Sequence, residues 1–254
     1  MLIDTHTHLY SEEFNLDRDE VIQRCLQNEI KKLYLPNVDS QSIESMLALE
    51  SKYPDVCFAM MGLHPCSVKE NYKEELAIVN EWLKKRKFVA IGEIGMDLYW
   101  DKTFVKEQEE AFNTQMDWAL EHDVPIVIHC RDAFDEIFNV LATRSKLPKG
   151  IFHCFSGNLE QATKIIHLGK FKLGIGGVLT FKNSGLDKVV EQIDMKHIVL
   201  ETDSPYLAPM PHRGKRNESS YTKLVAEKLA SIKGISSNDV ASITTQNAQE
   251  IFGN

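Results

Sequence analysis

One alternation, repeated along the whole chain, constrains the fold more than any other feature. Short runs rich in Val, Ile, Leu and Phe are each followed by a longer amphipathic stretch. The short runs occupy residues 2–5, 32–36, 56–60, 88–92, 125–128, 150–153, 171–175 and 197–200. Their length and β-branched content read as buried strands. The stretches between them, 17–29, 40–52, 72–86, 104–122, 133–145, 159–168 and 184–192, read as helices, with Ser40 as an N-cap for the second. Two more helices, 220–232 and 237–252, follow the last strand, the second capped by Ser236. Alternating β and α units predict a parallel sheet, and eight of them predict a closed α/β barrel, the TIM (β/α)8 architecture, with extra C-terminal helices. A doubly wound sheet would call for a Gly-x-Gly-x-x-Gly turn after an early strand. Gly174-Ile175-Gly176-Gly177 comes late and lacks that spacing. No linker or composition shift divides the chain, so residues 1–254 read as one domain.

The polar residues gather where these strands end. His6 and His8 follow the first strand, Asn37 the second, His64 the third and Glu93 the fourth. His129 ends the fifth, His153 the sixth and Asp203 the eighth. In such barrels this C-terminal face carries the chemistry, because side chains from several strands converge there. Strand side chains two apart share a face, so His6 and His8 are expected to point inward together. Imidazoles with carboxylates are ligands for divalent metals. Six of these groups, His6, His8, Glu93, His129, His153 and Asp203, exceed one tetrahedral site, and a pair of metals sharing a carboxylate fits the count better. His122 and His167 fall on helices and His197 at a strand start, so these three read as structural.

Net charge is −8, which excludes general polyanion binding by bulk electrostatics. A phosphate-bearing substrate would need a locally positive site, and metal ions can provide one. The loop after the eighth strand carries His212, Arg213, Lys215 and Arg216. It reads either as a solvated basic loop or as a phosphate clamp beside the metals. Tyr99, Trp100 and Tyr206 read either as base-stacking groups at the rim or as loop packing. The five cysteines are odd in number and never form Cys-x-x-Cys, which argues against a zinc ribbon and for a reducing compartment. Cys130 and Cys154 each follow a strand histidine, so alternation predicts that they face the helix layer as small apolar groups. The N-terminus lacks a signal-like apolar core, and no apolar run approaches the ~20 residues of a membrane span. A cytoplasmic protein with no membrane association is expected.

Several ordered blocks resemble the TatD family of metal-dependent deoxyribonucleases. They are Asp4-Thr5-His6-Thr7-His8, Gly62-Leu63-His64-Pro65, Gly92-Glu93-Ile94-Gly95, His129-Cys130-Arg131-Asp132-Ala133 and His153-Cys154-Phe155-Ser156-Gly157. Leu179-Thr180-Phe181-Lys182-Asn183 and the run from Glu201-Thr202-Asp203 through Pro209 complete the series, which spans nearly the whole chain. The resemblance implies a TIM barrel and a metal-dependent phosphodiesterase acting on DNA. It implies that His6, His8, Glu93 and Asp203 hold one divalent ion, and that Glu93, His129 and His153 hold a second, with Glu93 bridging. Zn, Mg and Mn are the candidate metals. His64 would reach into the cleft beside them, and Asp203 would orient the attacking water and take its proton. His212, Arg213 and Arg216 would contact substrate. The expected partner is DNA, preferably at single-stranded ends, with no obligatory protein partner. Two rival readings share the same residues. An amidohydrolase acting on a small cyclic amide or ester would show a closed apolar pocket. A non-enzymatic protein with a vestigial site would lack turnover.

Overall fold

The computed structural model describes residues 1–253. Eight strands, β1 (Leu2–Asp4), β2 (Ile30–Leu35), β3 (Cys57–Ala59), β4 (Ile91–Asp97), β5 (Ile126–Arg131), β6 (Gly150–Phe152), β7 (Phe171–Ile175) and β8 (Ile198–Leu200), alternate with helices. The helices are α1 (Arg18–Gln27), α2 (Ile43–Lys52), α3 (Tyr72–Lys85), α4 (Val105–Glu121), α5 (Phe134–Ala142), α6 (Leu159–His167) and α7 (Leu186–Gln192). Two more, α8 (Thr222–Lys233) and α9 (Ser237–Phe252), end the chain. Strands β1-β2-β3 and β4 through β8 pair in parallel in sequence order. The two sets meet at both edges. Met61 bridges Ile91 in parallel on one side, and Thr5 N–H donates to the Leu200 carbonyl at 3.0 Å on the other. This is the TIM-barrel fold that the alternation predicts.

Side-chain alternation builds two cores. Ile3, Tyr34, Met60, Ala90, Val127, Ile151 and Val199, each from a different strand region, form the inner cluster. Their neighbours Leu2, Leu33, Leu35, Ile126, Ile128, Phe152, Ile198 and Leu200 belong to the larger core beneath the helices. Burying a residue of either kind removes apolar surface from water, at about 1.5–3 kcal/mol for a full side chain. Helix α9 adds Ala248, Ile251 and Phe252 to the inner cluster, and Phe252 stacks on Tyr34 at 3.8 Å between centroids. Asn247 Nδ2 donates to the Met195 and Ile198 carbonyls, and Thr245 Oγ1 to the Met1 carbonyl. These groups lie at the starts of β8 and β1, so α9 plugs the N-terminal end of the barrel. The strand C-termini are left facing a cavity.

Two local expectations change. Ser40 does not cap α2; its hydroxyl donates to Glu75, and Ser42 beside the helix start receives the Val38 and Asp39 N–H groups instead. Strand β4 starts and ends later than residues 88–92, so Glu93 lies inside it rather than at its end. Gly95 permits this at φ +135°, where a Cβ would collide with the His129 carbonyl of β5. By contrast Ser236 caps α9 as expected, in a reciprocal capping box with Asp239. No helix among the described residues is long and apolar enough to cross a membrane.

Candidate metal centre

Glu93 is the hub of the cavity floor. It is buried, and its two oxygens face different histidines. Oε1 lies 2.6 Å from His153 Nε2, 2.7 Å from His129 Nδ1 and 3.3 Å from His64 Nε2. Oε2 lies 3.1 Å from His6 Nε2 and 3.6 Å from His8 Nε2. Asp203 Oδ1 approaches the same two rings, at 3.7 Å from His6 and 3.6 Å from His8. The rings of His6 and His153 stack at 3.8 Å.

Strand alternation explains only part of this convergence. Val127 and Ile151 point into the barrel, so His129 and His153, two residues further on, do too. His6 lies beyond the end of β1 and does not share the face of Ile3 by simple parity. The Asp4 carboxylate bends this segment over. It accepts from Thr202 N–H at 2.9 Å, Thr202 Oγ1 at 2.6 Å and His6 N–H at 3.3 Å. Asp203 N–H then donates to the His6 carbonyl at 2.9 Å. Asp203 itself holds a left-handed backbone at φ 58°, a conformation that non-glycine residues adopt sparingly and that concentrates at functional sites. Glu93 lies within a register irregularity between Ile91 and Ile94 where β4 pairs with β5.

The electrostatics suit cation binding. Burial alone would raise the Glu93 carboxyl, yet the surrounding histidines, His153 foremost, hold it well below the usual range. Burial likewise opposes ionisation of Asp203, and His8, His153 and His6 hold it down. Burial, reinforced by neighbouring imidazoles, lowers His6 and His64 and keeps them neutral. His129 and His153 are raised despite burial, by Asp97 and Glu93 in the first case and by Glu93 and Glu201 in the second. Protons held there are those that a divalent ion would displace.

The donor set fits divalent metal. Three groups, His6–His8–Asp203, His6–Glu93–His153 and His64–Glu93–His129, each offer ligand atoms within 4.8 Å of one another. His6 and His153 turn Nε2 toward Glu93, so that is the nitrogen each ring offers. His64 differs in kind. Its Nδ1 accepts the Cys66 N–H at 3.0 Å, so in the neutral ring Nε2 carries the hydrogen and faces Glu93 as a donor.

Three contributors lie outside the site residues expected from the sequence. Asp97 Oδ2 pairs with His129 Nε2 at 2.9 Å, and although burial opposes it, that contact holds Asp97 down at about 2. Buried Glu201 accepts the Cys154 N–H and lies 3.6 Å from His153 Nδ1. Tyr10 Oη lies 2.9 Å from His8 Nδ1. All three sit within four residues of a metal-ligand candidate, which is the signal that could have singled them out.

The cavity above this floor has a volume of about 2100 Å3 and is open to solvent. Trp100, Arg131, Tyr206, Arg213 and Lys215 border it. Arg131 lies 3.9 Å above the Tyr99 ring and 5.1 Å from that of Trp100. Arg216 and His212, expected as substrate contacts, do not border it. Arg216 is paired with Asp17, and the His212 ring stacks on Tyr221 at 4.2 Å. Cys130 packs against the core beneath the helices, as expected, and also borders the cavity; Cys154, expected to face the helix layer, borders the cavity. Strand β6 ends at Phe152 and Cys154 sits at φ 46°, so alternation no longer governs it. Buried Asn37 is a strut, donating to the Gly62 and Asp39 carbonyls. His122 and His167 lie at the ends of α4 and α6, and His197 precedes β8. None joins the cluster.

Residues 3–253 match the family model for TatD-related DNases. The chain belongs to this family. It is 39% identical over 254 residues to an uncharacterized metal-dependent hydrolase, YabD, of Bacillus subtilis strain 168, covering 99% of both chains. It is 30% identical over 258 residues to a 3'-5' ssDNA/RNA exonuclease, TatD, of Pectobacterium parmentieri strain WPP163, again covering 99% of each. The crystal structure of YJJV, a TatD homologue from Escherichia coli K12, superposes with a TM-score of 0.93 at 28% identity, covering 100% of this chain and 98% of that one. The protein is a metal-dependent hydrolase of the TatD family on a TIM barrel.

Proposed function

We propose that this hydrolase cleaves nucleic-acid phosphodiester bonds, DNA foremost, working from single-stranded ends with two divalent ions held on either side of Glu93. The observation that carries this reading is the open cleft above the Glu93 cluster, where Trp100, Tyr206, Arg131, Arg213 and Lys215 stand at the border among acidic Glu12, Glu13 and Asp39. A closed apolar pocket would suit a small cyclic amide; this cavity is wide and bordered by Arg131, Arg213 and Lys215. The Pectobacterium relative, named as an ssDNA/RNA exonuclease, supports the same substrate class.

His6, His8, Glu93 and Asp203 would hold one ion, and Glu93, His129 and His153 the other. When bound, such ions lower the pKa of water and neutralise charge on phosphoryl oxygens. Asp203, which borders the cavity beside His8, accepts the proton of the attacking water. His64, which borders the cavity with Nε2–H 3.3 Å from Glu93 Oε1, steadies developing negative charge on the other side of Glu93. Arg213 and Lys215 hold the flanking phosphate, with Arg213 braced at 4.4 Å over the Phe181 ring. Recessed ligands favour a frayed strand, because intact duplex must distort to reach them at a cost of several kcal/mol, order of magnitude.

A time course on end-labelled oligonucleotides tests the proposal, comparing wild type with Asp203→Asn. Stepwise shortening from one end, faster on single strands, abolished by chelator and by the substitution, is expected. Equal cutting by both proteins would identify a contaminant. No cutting with Mg, Mn, Co or Zn, together with turnover of model amides, would replace the nuclease reading.

A further inference from the structure

The ring of His8 is held from outside the cavity by a phenol with a single proton to give. Tyr10 Oη donates to the Pro36 carbonyl at 2.6 Å. That carbonyl can only accept, so the one phenolic hydrogen is committed there. Toward His8 Nδ1, 2.9 Å away, the same oxygen can therefore act only as an acceptor. His8 Nδ1 must carry a hydrogen, which in the neutral ring leaves Nε2 with its lone pair on the side of Glu93 and Asp203. Tyr10 is buried and its ring packs edge-on against His8 at 5.7 Å between centroids, so the contact is fixed by packing as well. His129 is held in the opposite sense. Asp97 Oδ2 takes its Nε2–H, and Nδ1 is the atom that faces Glu93.

We propose that Tyr10 is a positioning residue that fixes His8 as its Nδ1–H tautomer and so presents Nε2 to the metal centre. The contact to Pro36 makes this orientation a property of the loop that follows β1 and the end of β2, independent of substrate. The proposal rests on the reading of His8 as a ligand. Outer-layer hydrogen bonds of this kind typically alter metal affinity by about 10- to 100-fold.

The test compares wild type with Tyr10→Phe in two readouts. Zinc dissociation constants, from competition with a chromophoric chelator, should rise about tenfold or more in the variant. Nitrogen–proton correlation spectra of the zinc-loaded proteins should show a slowly exchanging His8 Nδ1–H in wild type. In the variant that signal should be lost to exchange while His129 Nε2–H persists. Selective loss at His8 separates positioning from general loosening, which would affect both rings. A wild-type spectrum with the His8 hydrogen on Nε2, or an unchanged dissociation constant in Tyr10→Phe, would overturn the proposal, and the first needs no variant. Wild-type protein that takes up no zinc or other divalent ion would overturn the ligand reading of the site and this proposal with it.

Discussion

Arg216 and Asp17 form a two-pronged ion pair, with Nη1 2.7 Å from Oδ1 and Nη2 2.6 Å from Oδ2. The guanidinium also covers the Phe14 ring at 4.4 Å, and Nη1 donates to the Glu13 carbonyl. Arg24 continues the network, bonding Glu218 at 2.7 and 2.9 Å and approaching Asp17 at 3.5 Å. A basic residue in the loop after β8 is thereby spent on anchoring that loop to the β1–α1 segment, while Arg213 and Lys215 stay exposed beside the cavity.

The two arginines should therefore separate in assay. Arg213→Ala is expected to raise KM for nucleic acid and flatten its salt dependence, since each phosphate contact releases counterion. Arg216→Ala is expected to leave that slope unchanged and to lower stability by about 1 kcal/mol, the scale of a partly exposed ion pair. KM at two salt concentrations and urea midpoints measure both. A salt slope that changes for Arg216→Ala and not for Arg213→Ala would reverse the assignment.

The same network sets an acid dependence. Arg216 holds Asp17 below the ordinary carboxylate range. Burial would raise Glu218, but Arg24 and Ser220 outweigh it and hold it down as well. Unfolded, these groups titrate near about 3.9 and 4.3. Their folded values are lower, so the folded state binds fewer protons in that window. The stabilisation is present above about pH 4 and is lost as pH falls through the folded values. Arg24→Met should therefore cost most near neutrality, with the gap to wild type closing below about pH 4. Urea midpoints across pH 3–7 check this, and parallel curves would contradict it.

Glu93→Ala should lose most bound metal and activity together, because among the described residues only this side chain reaches both histidine groups with separate oxygens. Elemental analysis of the purified variant, beside its activity, is the measurement. Retention of two tight equivalents would end the bridging role. Loss of metal should also lower the unfolding temperature of wild type in chelator, since a ligand bound only to the folded state stabilises it by about 2.7 kcal/mol at a hundredfold excess over Kd.

How far the fold was legible follows from where its signal lies. Ile3, Tyr34, Val127, Ile151 and Val199 alternate with outward neighbours, and that pattern is written in the sequence. Ser236 is legible because its capping partner Asp239 is three residues away. The extension of β4 over residues 93–97 is not legible, because Glu93, Gly95 and Asp97 are poor strand formers that pairing with β5 holds extended. At the site, the strand-end histidines could be read, since their spacing follows the barrel. The partners of Arg216 and Tyr10 could not. Asp17 lies 199 residues from Arg216, and the Pro36 carbonyl that Tyr10 donates to is a backbone group with no mark in the sequence.

Arg131, Tyr99 and Trp100 give the last prediction. Trp100 is 68% exposed and Tyr99 53%, which is large for aromatic groups whose only role is to pack loops. Arg131 holds both rings from the β5 side, at 3.9 and 5.1 Å, so the cluster is preorganised and stands beside the cavity. A base leaving the scissile phosphate would find a flat face there. Base–aromatic stacking amounts to about 1–3 kcal/mol per base and tolerates any sequence, because every base has a π-face. Trp100→Ala should accordingly raise KM for single-stranded oligonucleotides about fivefold or more, at unchanged kcat and unchanged salt slope, and equally for purine and pyrimidine ends. Arg131→Ala should reproduce part of the KM effect by loosening the rings and should also reduce the salt slope if it touches phosphate. Steady-state kinetics on both variants, with metal content and unfolding temperature as controls, decide the matter. Wild-type KM in Trp100→Ala, accompanied by a lowered unfolding temperature, would make the three residues loop packing and move strand recognition to Tyr206 and Arg213.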